Sequence, residues 1–96
     1  MMRESTIEDY GRRLITARGG QMLKWSSPGL RGVPDNIVFW AGGHVHFIEC
    51  KATDGAERAQ QTMVRERIAA LGAICFLVRS KQDFDDYVRV YAPRAA

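Results

Sequence analysis

The chain has 96 residues, enough for one domain with one modest core. Hydrophobic residues make up 46% and charged residues 26%, a globular balance that argues against intrinsic disorder, and no apolar run reaches membrane-spanning length. The net charge of +3 permits an anionic partner such as nucleic acid but falls short of the strong basic bias of a histone-like binder.

Residues 1–5 (MMRES) are not followed by the apolar segment of a signal peptide. The two cysteines, Cys50 and Cys75, sit in apolar runs and make neither a disulfide framework nor a CxxC zinc ribbon. A reducing cytoplasm is the expected location.

Ser5 to Glu8 reads as a capping box that opens a helix, and Ile7, Tyr10, Leu14 and Ile15 follow at helical spacing until Gly19-Gly20. Residues 21–26 (QMLKWS) alternate as a short strand, and 27–32 (SPGLRG) form a loop. Residues 36–40 and 44–50 flank Ala41-Gly42-Gly43 as a hairpin. A polar loop leads to a helix over 58–71, with Val64, Ile68 and Leu71 on one side and Gly72 as the stop. The uniformly apolar run 73–78 (AICFLV) has the pattern of a central strand covered on both faces. A last short helix is expected over 83–91 and a frayed tail over 92–96. The whole is an α/β domain with the order αβββαβ. The helix between the third and fourth strands is a crossover that makes those two parallel neighbours, so a mixed central sheet flanked by helices is expected.

The hairpin is poor in charge except at its open end, where Asp35, Glu49 and Lys51 gather. Strand alternation points Glu49 and Lys51 to one side and Cys50 to the core. If Ala41-Gly42-Gly43 is a three-residue loop, Asp35 falls opposite Glu49, within roughly 5 Å at Cβ. A two-residue loop would set Asp35 opposite Cys50 and break the cluster. Two carboxylates that close repel, and a divalent cation with oxygen ligands, Mg²⁺ above all, removes the repulsion. A lysine beside them can orient a water or stabilise charge building on a phosphate, which suits metal-assisted phosphodiester hydrolysis. The competing reading is a surface ion pair beside a turn aspartate.

Basic residues near this end offer phosphate contacts: Lys24 and Arg31 flank the Pro-Gly loop, and Arg58 and Arg65 share a helix face with Gln61. Trp25 could stack on a splayed base, although a core role is expected for Trp25 and Trp40 alike. A zinc site from His44, His46 and Cys50 fails on distance, because six residues of strand span roughly 20 Å. No P-loop, dinucleotide glycine motif, nucleophile elbow or basic reading helix is present, so neither a nucleotide cofactor nor sequence-specific DNA reading is expected.

"GVPD" followed by "ECK" between apolar strands resembles the PD-(D/E)XK nuclease core. The longer stretch "GGQMLKWSSPGLRGVPDNIVFWAGGHVHFIECKA", with "QTMVRERIAALGA" after it, is similar to the VRR-NUC (virus-type replication-repair nuclease) branch over about residues 4–90 of a single domain, 1–96. The resemblance implies the restriction-endonuclease-like αβββαβ core. It implies that Asp35 and Glu49 bind Mg²⁺ or Mn²⁺, with the Cys50 carbonyl as a further ligand and Glu4 as the first-helix acid, Glu8 being its substitute one turn on. Lys51 would position or activate the attacking water, and Gln61 would steady the site.

The implied activity is a structure-selective DNA endonuclease leaving 5′-phosphate and 3′-hydroxyl. Its expected substrate is branched DNA such as Holliday junctions in phage or bacterial replication and repair, cut by a homodimer. The alternatives are a non-catalytic nucleic-acid-binding subunit, and a flap or single-strand nuclease needing a partner protein.

Overall fold

A computed structural model describes residues 1–93. The element order is α1 (Glu4–Ala17), β1 (Gln21–Lys24), β2 (Asn36–Trp40), β3 (His44–Cys50), α2 (Ala59–Ala70), β4 (Ile74–Val78) and α3 (Lys81–Tyr91). The four strands form one mixed sheet in the order β1-β2-β3-β4. β1, β2 and β3 run antiparallel in turn, and β4 lies parallel to β3, as a helical connection requires.

The hairpin register is the one a three-residue loop dictates: Trp40 faces His44 and Asn36 faces Ile48. Gly42 and Gly43 close it at φ 87° and 82°, a conformation that L side chains rarely adopt.

Alternation along the strands divides the sheet into two unlike faces. Met22, Val38, Trp40, Ile48, Cys50 and Val78 point to one side, where Ile7 and Ile15 of α1 and Phe84, Tyr87 and Val88 of α3 close the core over them. Polar groups inside this core are paired. The Tyr87 hydroxyl accepts from Trp40 Nε1 at 2.8 Å and lies 2.6 Å from His46 Nδ1, so His46 is a core residue with its pKa lowered by burial. α2 lies against the other face and covers mainly its β4 side. Leu23, Phe39 and Val45 on the remaining strands stay 44%, 41% and 40% exposed.

Several boundaries differ from the sequence expectation. α1 begins at Glu4 with Arg3 before it and no side-chain cap, because Glu8 turns to the sheet instead of back to the helix terminus. α3 begins two residues early, capped by Ser80, whose Oγ accepts from the Asp83 N–H at 3.0 Å. β4 is an edge strand, not a central one. Its apolar run reflects cover on both faces, but with no strand beyond it Ile74–Leu77 are only half-buried. Of the expected tail, residues 94–96 lie outside the described residues, and Ala92 continues the last turn of α3 through a bond from its N–H to the Val88 carbonyl.

Candidate metal centre

The open end of the β2–β3 hairpin brings Asp35, Glu49, Lys51 and Gln61 together. Asp35 immediately precedes β2, and its Oδ1 accepts from the Cys50 N–H at 3.1 Å, which fixes it across from the end of β3. Its own N–H donates to Glu49 Oε2 at 3.0 Å. The other Glu49 oxygen, Oε1, accepts from Gln61 Nε2 at 2.5 Å and lies 3.7 Å from Lys51 Nζ. Gln61 Oε1 in turn accepts from the Arg58 N–H at 2.9 Å, so one carboxamide ties the start of α2 to the end of β3. The Lys51 N–H donates to the Val78 carbonyl at 2.9 Å, which continues the β3–β4 ladder past the last strand residue.

Glu49 is 3% exposed. Burial and the neighbouring Asp35 charge raise its pKa from 4.5 to about 7, and the Asp35 N–H and Lys51 only partly offset them. It is an under-neutralised acid beside a second acid, and a cation between them would relieve both.

Glu8 is the opposite case. It reaches the same end of the sheet from α1 and is 7% exposed. Its Oε2 accepts from Lys24 Nζ at 2.6 Å and from Asn36 Nδ2 at 2.9 Å, and Arg12 stands 3.7 Å from Oε1. Burial pushes the Glu8 pKa up, but these donors and charges outweigh it and hold the carboxyl below its ordinary value. Ligand atoms of Glu8, Asp35 and Cys50 all lie within 4.8 Å of one another. The Cys50 thiol is held in its protonated form by burial and by the charges of Asp35, Glu8 and Glu4.

Of the two α1 acids, Glu8 is the one that lies beside Asp35, while Glu4 is exposed at the start of α1. Asn36 was not singled out from the sequence. It is fully buried, and its Nδ2 donates at 2.9 Å to Glu8 and at 2.9 Å to Asp35. Its signal was its parity: a polar residue opposite Ile48 on the core face needs partners.

Of the basic candidates, Arg31 and Arg58 are exposed. Lys24 is bonded to Glu8, and Arg65 is held by Glu57 through two hydrogen bonds of 2.9 Å. Trp40 is buried, whereas Trp25 is half-buried and packs on Phe47 with ring centroids 5.3 Å apart. Carboxylate oxygens dominate the donor set at the hairpin end, and this is the chemistry that Mg²⁺ and Mn²⁺ accept.

No protein-family model matches the chain. A curated relative, named "Putative nuclease p44" and found in Acyrthosiphon pisum secondary endosymbiont phage 1, is 38% identical over 72 residues, 75% of this chain and 77% of the relative. A solved structure described as a VRR_NUC domain aligns with 95% of this chain and 99% of its own length at 28% identity, with a TM-score of 0.86. With the same strand order and hairpin register that the GVPD…ECK pattern implies, and with relatives matching over most of its length, this chain belongs to the VRR-NUC family.

Proposed function

We propose that the protein is a Mg²⁺- or Mn²⁺-dependent endonuclease that hydrolyses phosphodiester bonds in DNA. The observation that carries this reading is the close pairing of two acids, Asp35 and Glu49, with a lysine and a glutamine on the more buried one. Asp35, Glu49 and the Cys50 carbonyl would hold the ion, with Glu8 as the nearer first-helix acid and Glu4 at the rim. A dication bound there supplies neutralisation of the paired acids and Lewis-acid polarisation of phosphate oxygen.

The rest falls to the chain itself. Lys51, its side chain only 14% exposed, can hold the attacking water by hydrogen bond and oppose negative charge on the phosphate. Gln61 fixes the Glu49 carboxylate. Arg31 and Arg58 are exposed, and together with Lys24 and Arg65 they would contact phosphates; so small a domain has little surface for base readout. Nothing in this reading requires a nucleotide cofactor.

The preferred substrate under this reading is branched DNA. The partly uncovered sheet face, with Leu23, Phe39 and Val45, favours a homodimer, whose two sites would meet the two strands cut at a Holliday junction in phage or bacterial DNA repair. A monomer would fit flap or single-strand cleavage.

The test is incubation of a labelled four-way junction, with duplex, flap and RNA controls, in Mg²⁺, Mn²⁺ or EDTA, alongside light scattering for the oligomeric state. Metal-dependent cutting of the junction by a dimer is expected. Binding with no cleavage in either metal would instead identify a non-catalytic nucleic-acid-binding subunit. Among the described residues no helix is long and apolar enough to cross a membrane; the site of action under this reading is the cytoplasm.

A further inference from the structure

Glu49 points to the sheet face that α2 covers only in part. Val45 and Phe47 precede it on the same side of β3, and Phe47 stands two residues, roughly 7 Å, away. Strand register sets what lies beside this column. Lys24 pairs with Asn36, and the Trp25 N–H donates to the Asp35 carbonyl at 2.9 Å, which carries β1 one residue further and sets Trp25 across from Asp35. Asn36 pairs with Ile48, so the next row runs from Trp25 through Asp35 to Glu49. Two acids and two aromatic rings therefore share one end of one face.

The two tryptophans differ in what their rings do. Trp40 is buried in the core, where its Nε1 donates to the Tyr87 hydroxyl at 2.8 Å. Trp25 lies on the opposite face and stays partly open to solvent, braced by Phe47 with ring planes inclined by 44°. The loop that follows Trp25 is held in place: a Cβ added at Gly32 would stand 2.7 Å from the Gln60 carbonyl oxygen, so the loop rests against the start of α2 beside Gln61. Arg31 on this loop is exposed. Apart from Glu49, the strand residues on this face from Gln21 to Phe47 carry no charge. An anionic strand laid along it meets rings and aliphatic side chains, with Arg31 and Lys51 near the acids and the acids only where a dication would be shared. That charge pattern suits a nucleic acid.

We propose that Trp25, braced by Phe47, is the stacking surface for an unpaired base beside the scissile phosphate, so that the site takes its substrate at a single-stranded segment or at a base splayed from a branch point. A paired duplex offers no such base, because its rings stack on one another. The π-face of an indole accepts every base, so the preference is for strand structure and not for sequence. The inference rests on the nuclease reading above and deepens it by naming the nucleotide conformation that the site accepts. Trp25 binds substrate and takes no part in the chemistry.

Indole fluorescence tests this without reference to cleavage. A short oligothymidylate, titrated in EDTA at low ionic strength, is expected to quench the wild-type protein, while a duplex of equal length leaves its emission unchanged. Trp25→Phe should lose the quenching, since Trp40 is buried, yet keep most of the affinity for a labelled oligothymidylate, because a ring remains. Trp25→Ala should lose about tenfold in that affinity with duplex binding unaltered. On a flap substrate the same variant should raise KM by about tenfold with a smaller change in kcat. Trp25→Leu, which keeps bulk without a π-system, serves should Trp25→Ala fold poorly. Unquenched emission with the single strand overturns the inference, as does an equal loss of single-strand and duplex binding in Trp25→Ala. A change of oligomeric state in Trp25→Leu gives this face to a second copy and overturns it as well. Metal-dependent cutting without quenching would remove the stacking surface and leave the nuclease reading standing; quenching without cutting in Mg²⁺ or Mn²⁺ would retain the surface as that of a binding subunit and defeat the nuclease reading.

Discussion

Glu49 and Glu8 show how the same residue type at one end of one sheet acquires opposite character. Glu8 is surrounded by donors and stays ionised; Glu49 is buried beside another acid, with its pKa raised to about 7. An acid whose folded-state pKa lies above its unfolded value adds stability that is complete below the unfolded value and lost as pH rises through the folded one. The metal-free protein should therefore lose stability between pH 4.5 and about 7, by on the order of 3 kcal/mol at 1.36 kcal/mol per unit, and hold level above that range. Asp35→Asn should flatten this slope and raise the metal-free melting temperature at pH 8. The new side chain keeps an oxygen for the Cys50 N–H and Asn36 Nδ2 while removing the charge that opposes Glu49. Urea denaturation at several pH values checks both; an unchanged slope would mean that the two acids do not interact. Lys51→Ala should lower the cleavage rate by about 10²–10⁴-fold with little change in melting temperature, because its ammonium stands at the site and not in the core. Retained cleavage would remove Lys51 from the mechanism.

Among the elements, α1 and the β2–β3 hairpin do most to build the site, and α1 is positioned by close approach to α3. A methyl group added at Gly11 would stand 2.3 Å from Phe84 Cζ, so only glycine lets the helices pack at this distance. Gly11→Ala should destabilise the fold by about 1–3 kcal/mol, read as a drop in melting temperature, and should weaken metal binding as Glu8 shifts with its helix. Unchanged stability would mean that Phe84 moves aside without cost.

The hairpin was legible in the sequence because its loop length and two glycines determine its register, and the register alone brings Asp35 to Glu49. Glu8 was harder to assign. As a residue three after Ser5 it fits a capping box, and only the sheet beneath α1 shows that Lys24 and Asn36 draw it inward. β4 misled for a related reason: a strand apolar on both sides reads the same whether or not another strand lies beyond it. For Arg65 the sequence pattern gives no hint of its partner: Glu57, eight residues earlier and across the turn into α2, pairs with it through two hydrogen bonds.

On the scale of the molecule, two helices cover one sheet face and one helix covers part of the other. The acids converge at the end where the hairpin opens and α1 and α2 both arrive. A fold that gathers carboxylates from a helix, a loop and a strand in this way leaves repulsion that the chain itself only partly neutralises, and the central claim is that a dication shared by Asp35 and Glu49 completes it. Calorimetric titration of the wild-type protein with Mn²⁺ at pH 8, against Asp35→Asn and Glu49→Gln, tests that claim most directly. The account predicts binding by the wild type and a loss of at least tenfold in affinity for each variant, with both variants folded. Wild-type affinity retained by both variants would contradict it.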